Sequence, residues 1–155
     1  MSEIHESISV DVPFDRVPEF AERFLASITT KGGDAVIPLS VEVGDLVVER
    51  EARLAIVPTR RYWGYEIMDI GWEARGGGPY PSFEGSLTVR ADEDYTGAVL
   101  ELAGEYDPPL GAAGKAFDAV LGQRIAALTA TEFLRTIGRQ METQYEREEE
   151  AKQAL

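Results

Sequence analysis

Chemistry in this sequence has to come from carboxylates, guanidiniums and tyrosines. There is no cysteine and a single histidine, His5. Thiolate nucleophiles, disulfides, Fe–S clusters and cysteine or multi-histidine metal sites are therefore excluded. No metal site and no cofactor are expected. Neither GxxxxGK[ST] nor GxGxxG occurs, so there is no phosphate cradle of those kinds. What remains is a few polar residues that interrupt apolar patterns. Arg124 falls on an apolar helical stripe, where a guanidinium could fix a carboxylate, enolate or phenolate. The commoner outcome for such an arginine is a pair with a strand carboxylate, or solvent reached from the edge of the stripe. Glu66 shares a strand face with Met68, Ile70 and Trp72, while Asp69 takes the opposite face. A carboxylate held there is placed to act as a general base, although a solvated or paired acid is the commoner outcome. Arg124 and Glu66 are thus the two candidate catalytic residues. Glu6 and Arg50 also sit on apolar strand faces and would pair if the first strands lie side by side. His5 belongs to a polar face and reads as a surface residue.

An aromatic set accompanies these charges: Tyr62, Trp63, Tyr65, Trp72, Phe83, Tyr106 and Phe117. Aromatic walls with few polar groups suit a flat apolar ligand, and they also suit an ordinary core. Tyr106 follows Gly104 on one face and has a hydroxyl to place. Arg75-Gly-Gly-Gly-Pro79 reads either as a gating loop or as a plain hairpin connection.

The elements that must position these groups follow from periodicity. Ile4 to Val12 alternates as a half-buried strand. Asp15 to Thr29 carries Val17, Phe20, Ala21, Phe24 and Ile28 at helical spacing, with Pro18 in the first turn and Lys31-Gly32-Gly33 as a stop. The period then becomes two. Strands are predicted over Ala35–Val43, Leu46–Val57, Arg61–Trp72, Ser82–Arg90 and Ala98–Tyr106, with Pro58-Thr59-Arg60 as a turn. From Gly111 to Glu150 nothing breaks a helix. Its 4-3 stripe runs Ala113, Phe117, Val120, Arg124, Ala127, Thr131, Leu134, Gly138, Met141, Tyr145, widened by Leu121, Ile125 and Leu128. The Glu146–Glu150 tail is polar all round and is expected to fray. The Ala126, Ala130, Phe133, Ile137 face points away from that stripe and offers a surface for a homodimer.

With 155 residues, 44% hydrophobic and 28% charged, the chain makes one domain, 1–155, with a sizeable core. Its net charge of −13 argues against nucleic acid and anionic lipid as partners. No apolar run approaches the roughly 20 residues of a membrane span. The opening residues Met-Ser-Glu-Ile-His-Glu lack the basic and apolar regions of a signal peptide, so a cytoplasmic protein is expected.

Strand, short helical segment, antiparallel meander and long terminal helix make an α+β domain. Its order resembles the helix-grip fold of the START, Bet v 1 and polyketide-cyclase (SRPBCC) superfamily. Ser7 to Val17 is similar to that family's first strand, proline and first helix. Tyr80 to Val89 is similar to a late strand, and Gly104-Glu-Tyr-Asp-Pro-Pro-Leu-Gly111 to the entry into its last helix. Gly122-Gln-Arg-Ile-Ala126 and Phe133-Leu134 continue that helix. Pro18 stands where many relatives carry a large aromatic residue. The resemblance implies a curved antiparallel sheet of six or seven strands wrapped around the C-terminal helix, with a cavity between them.

Two functions fit that expectation, and a third remains. One is a binding or carrier protein for an apolar or amphipathic small molecule. Its contacts would be Trp63, Tyr65, Phe83, Tyr106, Phe117, Val120 and Leu128, with Arg124 as polar anchor. Another is a polyketide cyclase/aromatase-type enzyme in the same cavity, with Arg124 and Glu66 or a tyrosine steering proton transfers. The third is a domain whose interior is filled and which acts through protein contacts.

Overall fold

A computed structural model of the protein describes residues 2–43, 45–62, 65–75, 82–94, 96–107 and 119–154. Strand β1 (Ser2–Val10) leads through a 3-10 turn, Phe14–Arg16, into helix α1 (Val17–Ile28). Strands β2 (Ala35–Val43), β3 (Leu46–Tyr62), β4 (Tyr65–Ala74), β5 (Ser82–Ala91) and β6 (Ala98–Asp107) follow, and then helix α2 (Ala119–Gln153). Pro18 occupies the first turn of α1, where its missing N–H costs nothing. Val17, Phe20, Ala21 and Phe24 bury the face that the spacing predicts. Gly33 takes φ +92°, closing the turn after the helix with its N–H on the Thr30 carbonyl at 2.9 Å.

The six strands form one antiparallel sheet in the order β1-β6-β5-β4-β3-β2. β1 and β2 are its two edges, so the side-by-side arrangement expected for Glu6 and Arg50 is not formed: three strands separate β1 from β3. Glu6 faces Leu102 of β6 instead. A second departure concerns Pro58. The chain does not turn there; the β3–β4 register shifts between Pro58 and Arg60, and β3 runs on to Tyr62. Proline cannot donate to a ladder, and a local irregularity accommodates it without ending the strand. Arg61 and Tyr62 thus belong to β3, not to the following strand.

Register sorts the concave face into rows across the strands. Leu54, Trp72, Phe83 and Tyr106 form an aromatic row. Ile70, Gly85, Gly104 and Ile4 form the next. Met68, Leu87, Leu102 and Glu6 come third, and Glu66, Val89, Leu100 and Ile8 fourth. The paired glycines let the sheet bend. An ideal Cβ on Gly85 would stand 2.2 Å from the Ala103 carbonyl oxygen and 2.6 Å from the Gly104 Cα. One on Gly104 would stand 2.4 Å from the Glu84 carbonyl oxygen. The Phe83 ring lies over the bare pair, 2.9 Å from either Cβ position.

α2 lies in the curve. Gly138 brings it down on β1, where a Cβ would meet Ile8 Cδ1 and Val10 Cγ1 at 2.9 Å. Its far end is locked to α1. Phe20 meets Tyr145 edge-on at 6.3 Å, and Arg16 and Arg23 both cover the Phe20 ring, 5.1 and 5.3 Å from its centre. Both guanidiniums also donate to the Glu148 carboxylate, and both reach Glu19. The acidic tail expected to fray is therefore helical to Gln153 and held by two arginines.

Candidate functional site

The space enclosed by the sheet and α2 divides into two chemically different ends. At one end stands the aromatic row. Trp72 stacks on Phe83 with ring centres 4.6 Å apart and planes 24° apart. Phe133 of α2 closes on the same indole at 5.4 Å. Tyr106, next in the row, is 3% exposed. Toward the other end the rows are aliphatic apart from Glu6 and Glu66, and Leu87, Val89, Leu100 and Leu102 keep no exposed surface. Leu134, Ile137 and Met141, helix residues of the same core cluster, keep none either. A side chain lining a water-sized void retains accessible surface, so these residues fill the middle of the fold by close packing.

Glu66 is the charged side chain buried on the concave face among the described residues, with 6% of its surface exposed. It shares its face with Met68, Ile70 and Trp72, as the alternation predicts, and Asp69 is exposed on the outside. A carboxylate in such surroundings is costly unless it is compensated, and Glu66 is not without an interacting partner.

Arg124 does not join it. Arg124 is exposed, and so is Leu128, at 38%. Gly138 sits over Ile8, in the row that contains Glu66, and Arg124 lies 14 residues earlier, about 21 Å along the helix axis. The two candidate catalytic residues are therefore not assembled into one site. The reason lies in helix geometry. A strict seven-residue seam rotates by about 20° per heptad on a straight helix. The stripe is buried at Leu134, Gly138 and Met141, but it is half-buried at Ala127 and Thr131 and exposed at Arg124. Burial passes instead to Ile125, Ala126, Thr129, Ala130, Phe133 and Ile137. The face read as a dimer surface is thus inside the chain.

Of the other expected ligand contacts, Phe83 and Tyr106 are both inward and buried. Trp63 and Phe117 lie outside the described residues, as do the side chains of Tyr62, Tyr65, Val120, Leu121 and Arg50. The Arg75–Pro79 loop is described only at Arg75, which donates to Glu51 at 3.0 Å. His5 is on the outer face, 3.0 Å from Glu101. Phe133 is the contact that sequence reasoning misplaced. Its signal was available in the 4-3-4-4 spacing of Ala126, Ala130, Phe133, Ile137 and Met141. Among the described residues, no helix is long and apolar enough to cross a membrane.

No protein-family model matches the chain, and no curated protein matches its sequence. Solved structures do. A protein from Thermus thermophilus superposes with a TM-score of 0.54 at 12% identity, over 90% of this chain and 97% of that one. A conserved protein from Geobacillus kaustophilus gives 0.56 at 11% identity, over 88% and 93%. The Zhui aromatase/cyclase from Streptomyces sp. R1128 gives 0.52 at 16% identity, over 91% and 93%. At these identities the likeness is one of fold. The chain is an α+β helix-grip domain: a curled six-stranded antiparallel sheet, a short helix after the first strand and a long C-terminal helix.

Proposed function

We propose that this helix-grip domain is a cytoplasmic member of the SRPBCC superfamily that binds an apolar or amphipathic small molecule between its sheet and α2. The observation that carries the reading is the row Trp72–Phe83–Tyr106 capped by Phe133. Flat aromatic faces at one end of a concave sheet, against aliphatic packing at the other, favour a ring-bearing or extended apolar ligand. Both ends are closed by packing, and the ligand would enter at the aromatic end by displacing Phe133 from Trp72. The lack of cysteine is in keeping with a reducing compartment. Native mass spectrometry of freshly purified protein, followed by denaturing extraction, tests the proposal. A co-purified apolar compound at one per chain supports it. So does a shift of Trp72 emission on titration with 1-anilinonaphthalene-8-sulfonate in a Trp63→Phe background. A protein that purifies empty and leaves Trp72 emission unmoved by that probe overturns it.

Two other readings each have an observation behind them. A polyketide cyclase/aromatase-type activity is favoured by Glu66, a buried carboxylate on the concave face of a fold shared with an aromatase/cyclase. Glu66 would then be the proton-transfer group, and the exposed Arg124 would take no part. Abolition of turnover of an aromatic polyketide by Glu66→Gln, with Arg124→Ala unaffected, distinguishes this reading. A filled domain that acts through protein contacts is favoured by the unexposed middle of the core.

A further inference from the structure

We infer that the outer face of the sheet carries a docking site for a short cationic, partly apolar peptide segment of another protein. The interior plays no part in this inference. A trough of about 760 Å³ crosses the outer face from the start of β2 over β3, β4 and β5 to β6. Its floor includes Ala55, Val57 and Gly71. Val57 is 57% exposed, one of the few large apolar side chains turned to solvent among the described residues. A Cβ on Gly71 would meet the Phe83 carbonyl oxygen at 3.1 Å, so the floor at that point is bare backbone. Around this floor stand five carboxylates, Asp34, Asp69, Glu73, Glu84 and Glu105, and one guanidinium, Arg53. Arg53 is already engaged, 3.8 Å from Glu73. The lining therefore carries a net charge of −4, five acids against one base.

Charge and spacing select the occupant. No group of three acidic or histidine side chains among the described residues is close enough to hold a metal ion. The carboxylates are spread out, and what neutralises them must be spread out too. A second copy of this chain brings a net charge of −13 and is repelled. Nucleic acid and anionic membranes are repelled for the same reason. The trough spans four strand spacings, about 19 Å, which matches about six residues of extended peptide. Lysine or arginine side chains would meet the rim and an aliphatic one would cover Val57 and Ala55.

A fluorescein-labelled hexapeptide, Lys-Leu-Arg-Val-Lys-Leu, tests this by fluorescence polarisation. Two paired variants separate local from general attraction. Asp69→Lys with Glu84→Lys alters the trough, and Glu146→Lys with Glu150→Lys makes the same change of net charge on the exposed tail of α2. The trough pair is expected to weaken binding about tenfold or more and the tail pair less than about twofold. Replacing the peptide's leucines and valine by serine is expected to weaken it several-fold more. Circular dichroism of both pairs confirms that each is folded. Equal loss with both pairs overturns the proposal in favour of unspecific attraction. Equal binding of the serine peptide, or full competition by spermine at matched charge, overturns it in favour of a simple cation site. A dimer in sedimentation that Asp69→Lys dissociates overturns it in favour of a second copy.

Discussion

The bend of the sheet rests on two glycines, and Gly85→Ala measures how much. The new methyl carbon would start 2.2 Å from the Ala103 carbonyl oxygen and 2.6 Å from the Gly104 Cα. Non-bonded carbons are comfortable only at about 3.5–4.0 Å, so β5 and β6 must part by roughly 1 Å at this row. Both obstacles are backbone, which no change of rotamer can move aside. Overpacking of this kind costs about 1–3 kcal/mol. Stretching β5–β6 hydrogen bonds beyond their normal range adds about 1 kcal/mol for each one lost. A total near 3–4 kcal/mol is a large share of the roughly 5–15 kcal/mol that holds a domain together. For a chain of this size it lowers Tm by about 6–16 °C, measured by calorimetry. The near-UV circular dichroism should weaken as well, because Phe83 both covers the glycines and stacks on Trp72. Gly104→Ala should behave alike, with its methyl 2.4 Å from the Glu84 carbonyl oxygen. Gly32→Ala is the control: its nearest neighbour is Thr30 Oγ1 at 3.8 Å, and Tm should be almost unchanged. If Gly85→Ala melts within about 2 °C of the wild type, with its near-UV spectrum intact, the bend does not depend on a bare backbone and the reasoning fails.

Other perturbations read other joints. Hydrogen bonds from Arg23 and Arg16 hold the Glu148 carboxyl below its usual pKa of 4.5. The folded state thus binds that proton less readily than the unfolded chain, and the stabilisation is present above about pH 4.5 and lost as pH falls through the lower folded value. Glu148→Gln should flatten the acid limb of a stability–pH curve in that window, and an unaltered limb would show that the arginines do not favour the charged form. Phe133 has no exposed surface, and Phe133→Ala should cost about 3–5 kcal/mol with a red shift of Trp72 emission. Phe133→Leu, the milder change, should keep the fold and give a smaller shift; unchanged emission in both would separate Phe133 from the indole. Arg124→Ala should alter stability by less than about 0.5 kcal/mol and leave probe binding untouched, because the side chain is exposed. A clear loss of affinity would return Arg124 to the binding site.

The strands and α1 were legible because each has one wet face and one dry face. Alternation placed Met68, Ile70, Trp72 and Glu66 together, and the structure keeps them so. Four things escaped. Strand order is a long-range property, and periodicity within β1 says nothing about which strand lies beside it. Pro58 looked like a turn because a proline interrupts a ladder; whether the chain turns or bulges depends on the partner strand, which here continues past it. The helix was legible as a helix but not in its register, since Arg124, Ala127 and Thr131 fit a heptad as well as Ala126, Ala130 and Phe133 fit the turns of a straight helix. That rotation moved Arg124 and Leu128 out of the expected site and brought Phe133 in. The outer trough was invisible as a unit because its carboxylates come from separate strands and meet only across the sheet.

The order β1-β6-β5-β4-β3-β2 also sets a timetable for assembly. From β3 to β6 each strand pairs with the one before it, so the meander that β2 begins can zip up hairpin by hairpin as it is made. β1 cannot join in this way. Its strand partner is β6, with Ser2 against Tyr106 and Val10 against Ala98. The first strand must wait for the last, and closing so long a loop is the slow, entropy-limited part of building such a sheet. Until it closes, β6 presents an open edge and α2 lacks the Ile8–Val10 seat for Gly138. The interval before β1 docks is therefore when this chain is most exposed to pairing with its neighbours.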